Sequence, residues 1–475
     1  MKTFVKFTRL GGIAIVSIFS ILVAITPANS QSSPVASKTQ AQVTFTKDVA
    51  PILQEKCQSC HREGEIAPMS LVTYQDTRPW ARDIKQRVIM RTMPPWFLDK
   101  AVGIQHYAND ISLSDDQIAT IAKWVDEGAP QGDPKDMPPP KAFPDDNGWQ
   151  LTRYFGRQPD LVLTAPDYTV KVGDQDQWFR PVTDVGLTEP RWVEAIEVRP
   201  SKKEARAIFH HITANLVQDE TGAPSAGAKI NFMGGGVTDS AGLAPSEGQF
   251  MEYAVNKNFD IFPEGSGKLL MPGAKLAWEY HTHPAKIEHD ITAHAEMALY
   301  LYPKGYTPKY RIYHMGFQAN QSALGGERTI DIPPNTIFET QGFTVLPAPA
   351  RLDNFQPHMH LTGKAMEMDA ILPDGKSEVL SYVDHFNFNW MTNYVYADDS
   401  APVLPRGTII QIKAWLDNTS ANPNDPNPNQ WVGYGERSID AMAFAHVNVT
   451  YLSDQDYSDW LAKHPAKKQG PASKE

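Results

Sequence analysis

Cysteine is almost absent from this chain: its 475 residues contain two, Cys57 and Cys60, both inside one five-residue stretch. A disulfide framework is therefore excluded, and any core must hold by packing alone. Long apolar runs are missing too. The one candidate, residues 11–25, is shorter than the roughly 18 residues a membrane span needs, so stable membrane insertion is not expected. Positive charge is in deficit, with 44 Lys and Arg against 55 Asp and Glu and a net charge of -11. That balance argues against nucleic acid as a partner, since phosphates demand clustered cations. No P-loop or dinucleotide glycine signature follows a strand-like run, and no internal repeat is evident.

What is present begins with targeting. Lys2, Lys6 and Arg9 precede the apolar run, and Ala28 and Ser30 follow it, the order of an export signal. The reading is a signal peptide over 1–30 and a periplasmic or secreted mature chain. Residues 31–42, rich in Ser, Gln and Ala, read as a flexible leader. Helical spacing then runs over 43–132. Thr46 and Asp48 open a helix whose face is Val49, Ile52 and Leu53; Ser114 and Asp115 cap another, through Ile118, Ile121, Trp124 and Val125 to a stop at Gly128. A Pro-rich stretch over 133–155 breaks this pattern and reads as a stiff, solvated linker. The 38 prolines and 31 glycines point to many turns and little long helix elsewhere. Short β-rich runs between Pro, Gly, Asn and Asp clusters argue for one sandwich over 156–333 and a second over 334–455, with a polar tail over 456–475. The expected fold is multidomain: a small all-α domain followed by two all-β sandwiches.

Cys57-Gln58-Ser59-Cys60-His61 is a C-x-x-C-H motif. Covalent haem attachment needs this order, because two thiols add to the haem vinyl groups and the next residue reaches the iron. A zinc pair would want two more ligands nearby, and a thioredoxin-like pair a βαβ unit; neither context is present. Met69, Met90, Met93 and His106 are candidates for the opposite axial position. Met93 is favoured, because Pro94-Pro95-Trp96 makes a rigid turn behind it.

Fourteen histidines occur, and several are clustered: His210-His211, His281 with His283, and His358 with His360. On a strand, residues i and i+2 share a face, so each H-x-H pair can offer two imidazoles to one metal. Imidazoles in an oxidising compartment suit copper or zinc. His210 and His211, as neighbours, require a bulge or strand end to act together. Met366 lies roughly 20 Å along an extended strand from His360, so Met442, on a separate β-run, is the better thioether. His289, His294, His314, His385 and His446 read as packing or surface residues.

Segment 44–132 resembles bacterial class I cytochrome c domains fused to copper monooxygenase-like modules, through Ala67-Pro68, Trp80-Ala81, Met93-Pro94-Pro95-Trp96 and Trp124 with Gly128-Ala129-Pro130. The resemblance implies one covalent haem c on Cys57, Cys60 and His61, with Met93 as the second iron ligand. Residues from about 156 to 452 resemble the copper type II, ascorbate-dependent monooxygenases, which include peptidylglycine α-hydroxylating monooxygenase and dopamine β-monooxygenase. The matching stretches are Phe209-His210-His211, Phe262-Pro263-Glu264-Gly265, Glu279-Tyr280-His281, the run from Pro357 through His358, His360 and Gly363 to Lys364, and Asp440-Ala441-Met442. This likeness implies two packed jelly-roll domains and two separated coppers. His210, His211 and His281 would hold the electron-storing one, and His358, His360 and Met442 the one that meets dioxygen. His283 is left over. Gln356 stands where peptide-amidating relatives carry a substrate-gripping arginine, and Ala441 replaces an acidic residue. The implied activity is dioxygen-dependent C–H hydroxylation of an unknown organic substrate, with the haem passing on electrons from ascorbate or another redox protein. A non-enzymatic electron-transfer or copper-handling role is the alternative reading.

Overall fold

Helix signals come before residue 130 and strand signals after it, and the computed structural model keeps that order except for α-helices at Leu151–Phe155 and at Asp454–Lys463, the latter running into the expected polar tail. It describes residues 42–63, 65, 67–143, 148–224, 226, 248–254, 257–282, 287–320 and 330–464. The expected signal peptide, most of the leader, His283 and the end of the polar tail lie outside them. Among the described residues, no helix is long and apolar enough to cross a membrane.

The principal helices of the first part are α1 (Ala50–Lys56), α2 (Ala81–Ile89) and α3 (Asp115–Asp126). A π-turn, Phe45–Val49, leads into α1, and Pro51 sits where a missing N–H costs nothing. Phe45, Val49, Ile52 and Leu53 bury one face against Ile84 and Val88 of α2 and Ile121 and Trp124 of α3. Ser114 closes the start of α3 reciprocally: its hydroxyl accepts from the Gln117 N–H (3.2 Å), and the Gln117 side-chain Oε1 accepts from the Ser114 N–H (3.0 Å). Gly128, at φ +91°, releases the chain from α3.

The distinct all-α cytochrome domain expected from the sequence does not form. Strand accounts for 37% of the structure and helix for 16%, and α1 to α3 run only 7, 9 and 12 residues. Val43–Glu475 groups as one compact unit. Its helical part surrenders Trp96, Phe97, Leu98 and Tyr107 to a core whose other members all come from residues 313–451, most of them on strands. Leu98 and Tyr107 bridge to Val383 and Tyr396 in strand fashion. The Trp96 ring packs edge-on against Tyr394 at 4.8 Å, and Tyr107 stacks on Tyr396 at 5.2 Å. Helical periodicity reports only local faces; these four large side chains find no cover among α1 to α3 and take it from the sheets. The Pro-rich stretch is likewise no free tether. Gln54 Nε2 donates to the Pro139 carbonyl (3.1 Å), Lys141 Nζ to the Gln54 carbonyl (3.0 Å), and the Arg62 guanidinium covers the Phe143 ring at 4.4 Å.

Eight strands position the site: β1 (Arg191–Pro200), β2 (Phe209–Val217), β3 (Gly248–Ala254), β4 (Ser266–Leu270), β5 (Lys275–Thr282), β6 (Tyr310–Gln318), β7 (Asn354–Met359) and β8 (Ala443–Tyr451). Among the described residues, β5, β2 and β3 lie side by side in a five-stranded sheet, while β1, β4, β6, β7 and β8 belong to an eleven-stranded one. The large sheet therefore runs through both stretches expected to be separate sandwiches. β6 makes the passage. It starts parallel to β4, Tyr310 opposite Ser266, and continues antiparallel to β8, Ile312 opposite Thr450 through Gln318 opposite Phe444.

Trp96 is the tightest rivet between the helical part and the β core. Trp96→Ala is expected to lower the unfolding free energy by about 3–5 kcal/mol while urea unfolding stays a single transition. A loss under ~1 kcal/mol, or a separate early transition of the helices, would contradict this joint.

Candidate metal centre

His210, His211 and His281 come from adjacent strands. His211 pairs with His281, and Thr282 pairs with Phe209, so the register slips and leaves His210 as the extra residue of a bulge. The bulge answers the geometric problem of neighbouring histidines, turning both rings to one side. Their Nδ1 atoms lie 3.3 Å apart. One ring nitrogen from each of the three histidines falls within 4.8 Å of the others. His281 is 1% exposed and stacks on Trp178 at 4.6 Å. Asp176 Oδ2 approaches its Nε2 to 3.4 Å, yet both ring nitrogens lack a hydrogen-bond partner.

His358 and His360 come from the other sheet. His358 sits on β7 opposite Phe444, whose ring it stacks on at 4.6 Å. His360 follows the end of β7, where Gly363 N–H turns back to its carbonyl at 2.8 Å. A Cβ at Gly363 would stand 2.5 Å from Met359 Cβ, so the turn requires glycine. His360 Nδ1 lies 3.1 Å from the Asp440 carbonyl. A carbonyl only accepts, so Nδ1 carries the proton and Nε2 keeps its lone pair for a metal. Met442 is half-buried and precedes Ala443, the β8 residue that pairs with Met359, the neighbour of His360.

The resemblance implies two separated centres; here the two histidine sets adjoin. The ring centroids of His211 and His358 are 5.7 Å apart, and those of His358 and His360 5.5 Å. Phe388 wedges between the sets, stacked on His210 at 4.4 Å and edge-on to His360 at 6.5 Å. Burial, reinforced by neighbouring imidazoles, holds His211 and His358 well below the usual histidine range, and burial brings His360 down to about 4. These rings stay uncharged at neutral pH, the form in which imidazole binds a metal.

Behind His358 lies a set of residues that sequence reasoning passed over. Glu252 on β3, His446 on β8 and His358 bring ligand atoms within 4.8 Å of one another. Glu252 Oε2 accepts from Gln356 Nε2 at 2.8 Å and stands 3.3 Å from His446 Nε2. His446 Nδ1 meets His314 Nε2 at 2.9 Å. Desolvation pushes the Glu252 carboxyl up to about 7, against the pull of Lys257. A lone Glu within a β-run carries no signal in sequence, and neither His314 nor His446 belongs to an H-x-H pair. Gln356 is wholly buried; its Nε2 is bonded to Glu252 and its Oε1 has no hydrogen-bond partner.

The C-x-x-C-H motif follows α1. The Cys60 and His61 N–H groups both donate to the Cys57 carbonyl (3.1 and 2.9 Å), gathering the three side chains into one turn. His61 Nδ1 lies 3.2 Å from the Met69 carbonyl, which again leaves Nε2 for a metal. Burial pushes the Cys57 thiol up to about 12 and raises Cys60 as well. Reactive dithiols need the opposite shift, so the pair fits thioether attachment better than thiol redox chemistry. Of the candidate axial ligands, Met90 is 58% exposed, and His106 is exposed and paired with Asp399 at 2.8 Å. Met93 and Met69 are half-buried, and the Met69 carbonyl serves His61 on its proton-bearing side.

No protein-family model matches the chain, and no curated protein matches it. Among solved structures, the major capsid protein P2 of bacteriophage PM2 aligns at 10% identity over 61% of this chain and 99% of its own, with a TM-score of 0.26. Cowpea mosaic virus top component aligns at 7% identity over 66% and 94%, with a TM-score of 0.29. Infectious bursal disease virus VP2 aligns at 10% identity over 67% and 76%, with a TM-score of 0.18. Scores of this size carry no inference about fold or function.

The depressed imidazoles set a pH dependence. Because the folded chain holds His360 near 4 against 6.5, the unfolded chain binds more protons between those values, and stability falls as pH drops through that window. At ~1.4 kcal/mol per unit, His360 alone accounts for roughly 3 kcal/mol. In chelator-treated protein, urea unfolding from pH 7 to pH 4 should show this loss, and His360→Gln should flatten it. An unchanged slope in the variant would contradict a buried neutral His360.

Proposed function

We propose that the protein is an exported haem- and copper-containing oxidoreductase that uses dioxygen to hydroxylate a C–H bond of an organic substrate. The observation that carries this reading is the convergence of five histidines from two sheets, with His211, His358 and His360 held neutral by burial. Copper bound there would supply one-electron chemistry toward dioxygen, and haem attached to Cys57 and Cys60 would supply one-electron storage.

His210, His211 and His281 form the imidazole-only set, and His358, His360 and Met442 the set with a soft thioether, the ligand type that favours Cu(I). Phe388 and Trp178 shield the rings from water. His61, oriented by the Met69 carbonyl, would be one iron ligand and Met93 the other. The haem-bearing loop is tied close to the imidazole-only set: Arg206 Nη1 donates to Glu65 Oε2 at 3.0 Å, and Arg206 lies four residues before His210. That contact favours electron delivery to His210, His211 and His281, with ascorbate or another redox protein as the external donor. With Gln356 buried and no arginine in its place, that position gives a substrate carboxylate no bidentate grip, so glycine-terminated peptides are expected to turn over poorly.

The test uses chain matured in a periplasm. The expected yield is one haem that survives acid-acetone extraction and about two coppers per chain. His211→Ala and His360→Ala should each remove one copper and abolish a hydroxylated product. Haem released by the extraction, or zinc as the sole metal, would contradict the proposal. Copper that exchanges electrons with haem but never yields product would leave a non-enzymatic electron carrier.

A further inference from the structure

β7, β8 and β3 bury a polar pocket directly behind His358. Its members are Glu252, Gln356, His446, His314 and the back edge of His358 itself, and no side chain among them is more than 6% exposed. Most of their bonding capacity is assigned. Glu252 Oε2 takes the Gln356 amide, and it is also the atom nearest His446 Nε2. When Glu252 is ionised it can only accept, so His446 then turns its Nε2–H to Glu252 and accepts the Nε2–H of His314 at Nδ1. Four atoms are left over, Glu252 Oε1, Gln356 Oε1, His314 Nδ1 and His358 Nδ1, all buried and without a hydrogen-bond partner. An orphaned buried polar atom costs about 1–3 kcal/mol, and of these four only His358 Nδ1 belongs to a candidate metal ligand and can carry a proton to the Glu252 oxygen.

A metal ion among Glu252, His358 and His446 is the first candidate. It meets two obstacles: both nitrogens of His446 are engaged, and the buried Lys257 ammonium already acts on Glu252, His446 and His314. A second cation would be repelled there. A hydrogen bond between Glu252 Oε1 and His358 Nδ1 meets neither obstacle. One ligand atom of Glu252 and one of His358 lie within 4.8 Å of each other, so a rotation of either side chain is what would bring the two atoms together.

We propose that Glu252 is a positioning residue for His358: its free carboxylate oxygen takes the Nδ1–H of that imidazole and turns Nε2 toward the metal that His360 and Met442 share. Gln356 and the His446–His314 pair hold the carboxylate in place from its other oxygen. The inference rests on the reading of His358 as a metal ligand. A carboxylate behind a ligating imidazole fixes its tautomer and raises its basicity, and losing one typically costs 10- to 100-fold in metal affinity. It also favours the more positive metal ion, so Cu(II) is stabilised over Cu(I).

The test is copper binding and spectroscopy on the full chain with Glu252→Gln, which keeps shape and removes charge. The expected result is a roughly 10- to 100-fold weaker second copper, a raised reduction potential for it, and an unchanged EPR signal from the copper on His210, His211 and His281. Glu252→Asp should restore part of the affinity. Affinity, potential and EPR matching the parent would overturn the proposal and leave the copper reading standing. If Glu252→Gln fails to fold, long-range ¹H–¹⁵N spectra of the parent loaded with Cu(I) decide instead. His358 should be protonated at Nδ1 and metallated at Nε2; the reverse tautomer overturns the role of Glu252. A parent that loses no copper on His358→Ala overturns both readings at once.

Discussion

The strand Tyr310–Gln318 belongs to two halves of the molecule, and the histidine cluster depends on that double membership. Its first residues run parallel to Ser266–Leu270, in the part that carries His210, His211 and His281. The rest runs antiparallel to Ala443–Tyr451, which in turn pairs with the strand bearing His358. Backbone hydrogen bonding along one strand thus sets the height at which the two histidine sets meet. A one-residue slip between β6 and β8 would reverse the faces of every side chain on the slipped strand. It would swing Phe444 and His446 away from His358 and Glu252.

Burial is the second constraint. Five imidazoles with centroid spacings near 5 Å would repel one another if charged, and the interior removes the water that could stabilise the charge. Neutral rings resolve that conflict, yet they leave lone pairs and N–H groups that need partners. Some have them: the Asp440 carbonyl serves His360, and His446 lies between Glu252 and His314. Both nitrogens of His281 and the Nδ1 atoms of His314 and His358 do not. A site that keeps such costs in its interior is organised around a ligand rather than around stability.

The candidate ligands were legible in sequence because their spacing is local. H-x-H on a strand and C-x-x-C-H after a helix each declare a shared face or turn within five residues. The Ser114 cap and the Gly128 stop were legible for the same reason. The bulge at His210 was foreseeable only as a requirement, since what creates it is the register against His281 on another strand. Glu252, His446 and Phe388 left no trace, because their roles arise from cross-strand and cross-sheet contacts made by residues far apart in the chain. The separate helical domain failed on similar grounds. Periodicity located the faces of α1 and α3 but could not show that Trp96 and Tyr107 would find their cover on Tyr394 and Tyr396.

The central claim is that one pocket between two sheets gathers metal ions onto both histidine sets. Anomalous diffraction at the copper absorption edge, on crystals of copper-loaded protein, tests it most directly. The account predicts anomalous peaks inside this pocket, one bonded to His210, His211 and His281 and a second bonded to His358. Peaks confined to surface histidines such as His289 or His385, or a pocket with no anomalous signal at full copper loading, would contradict it.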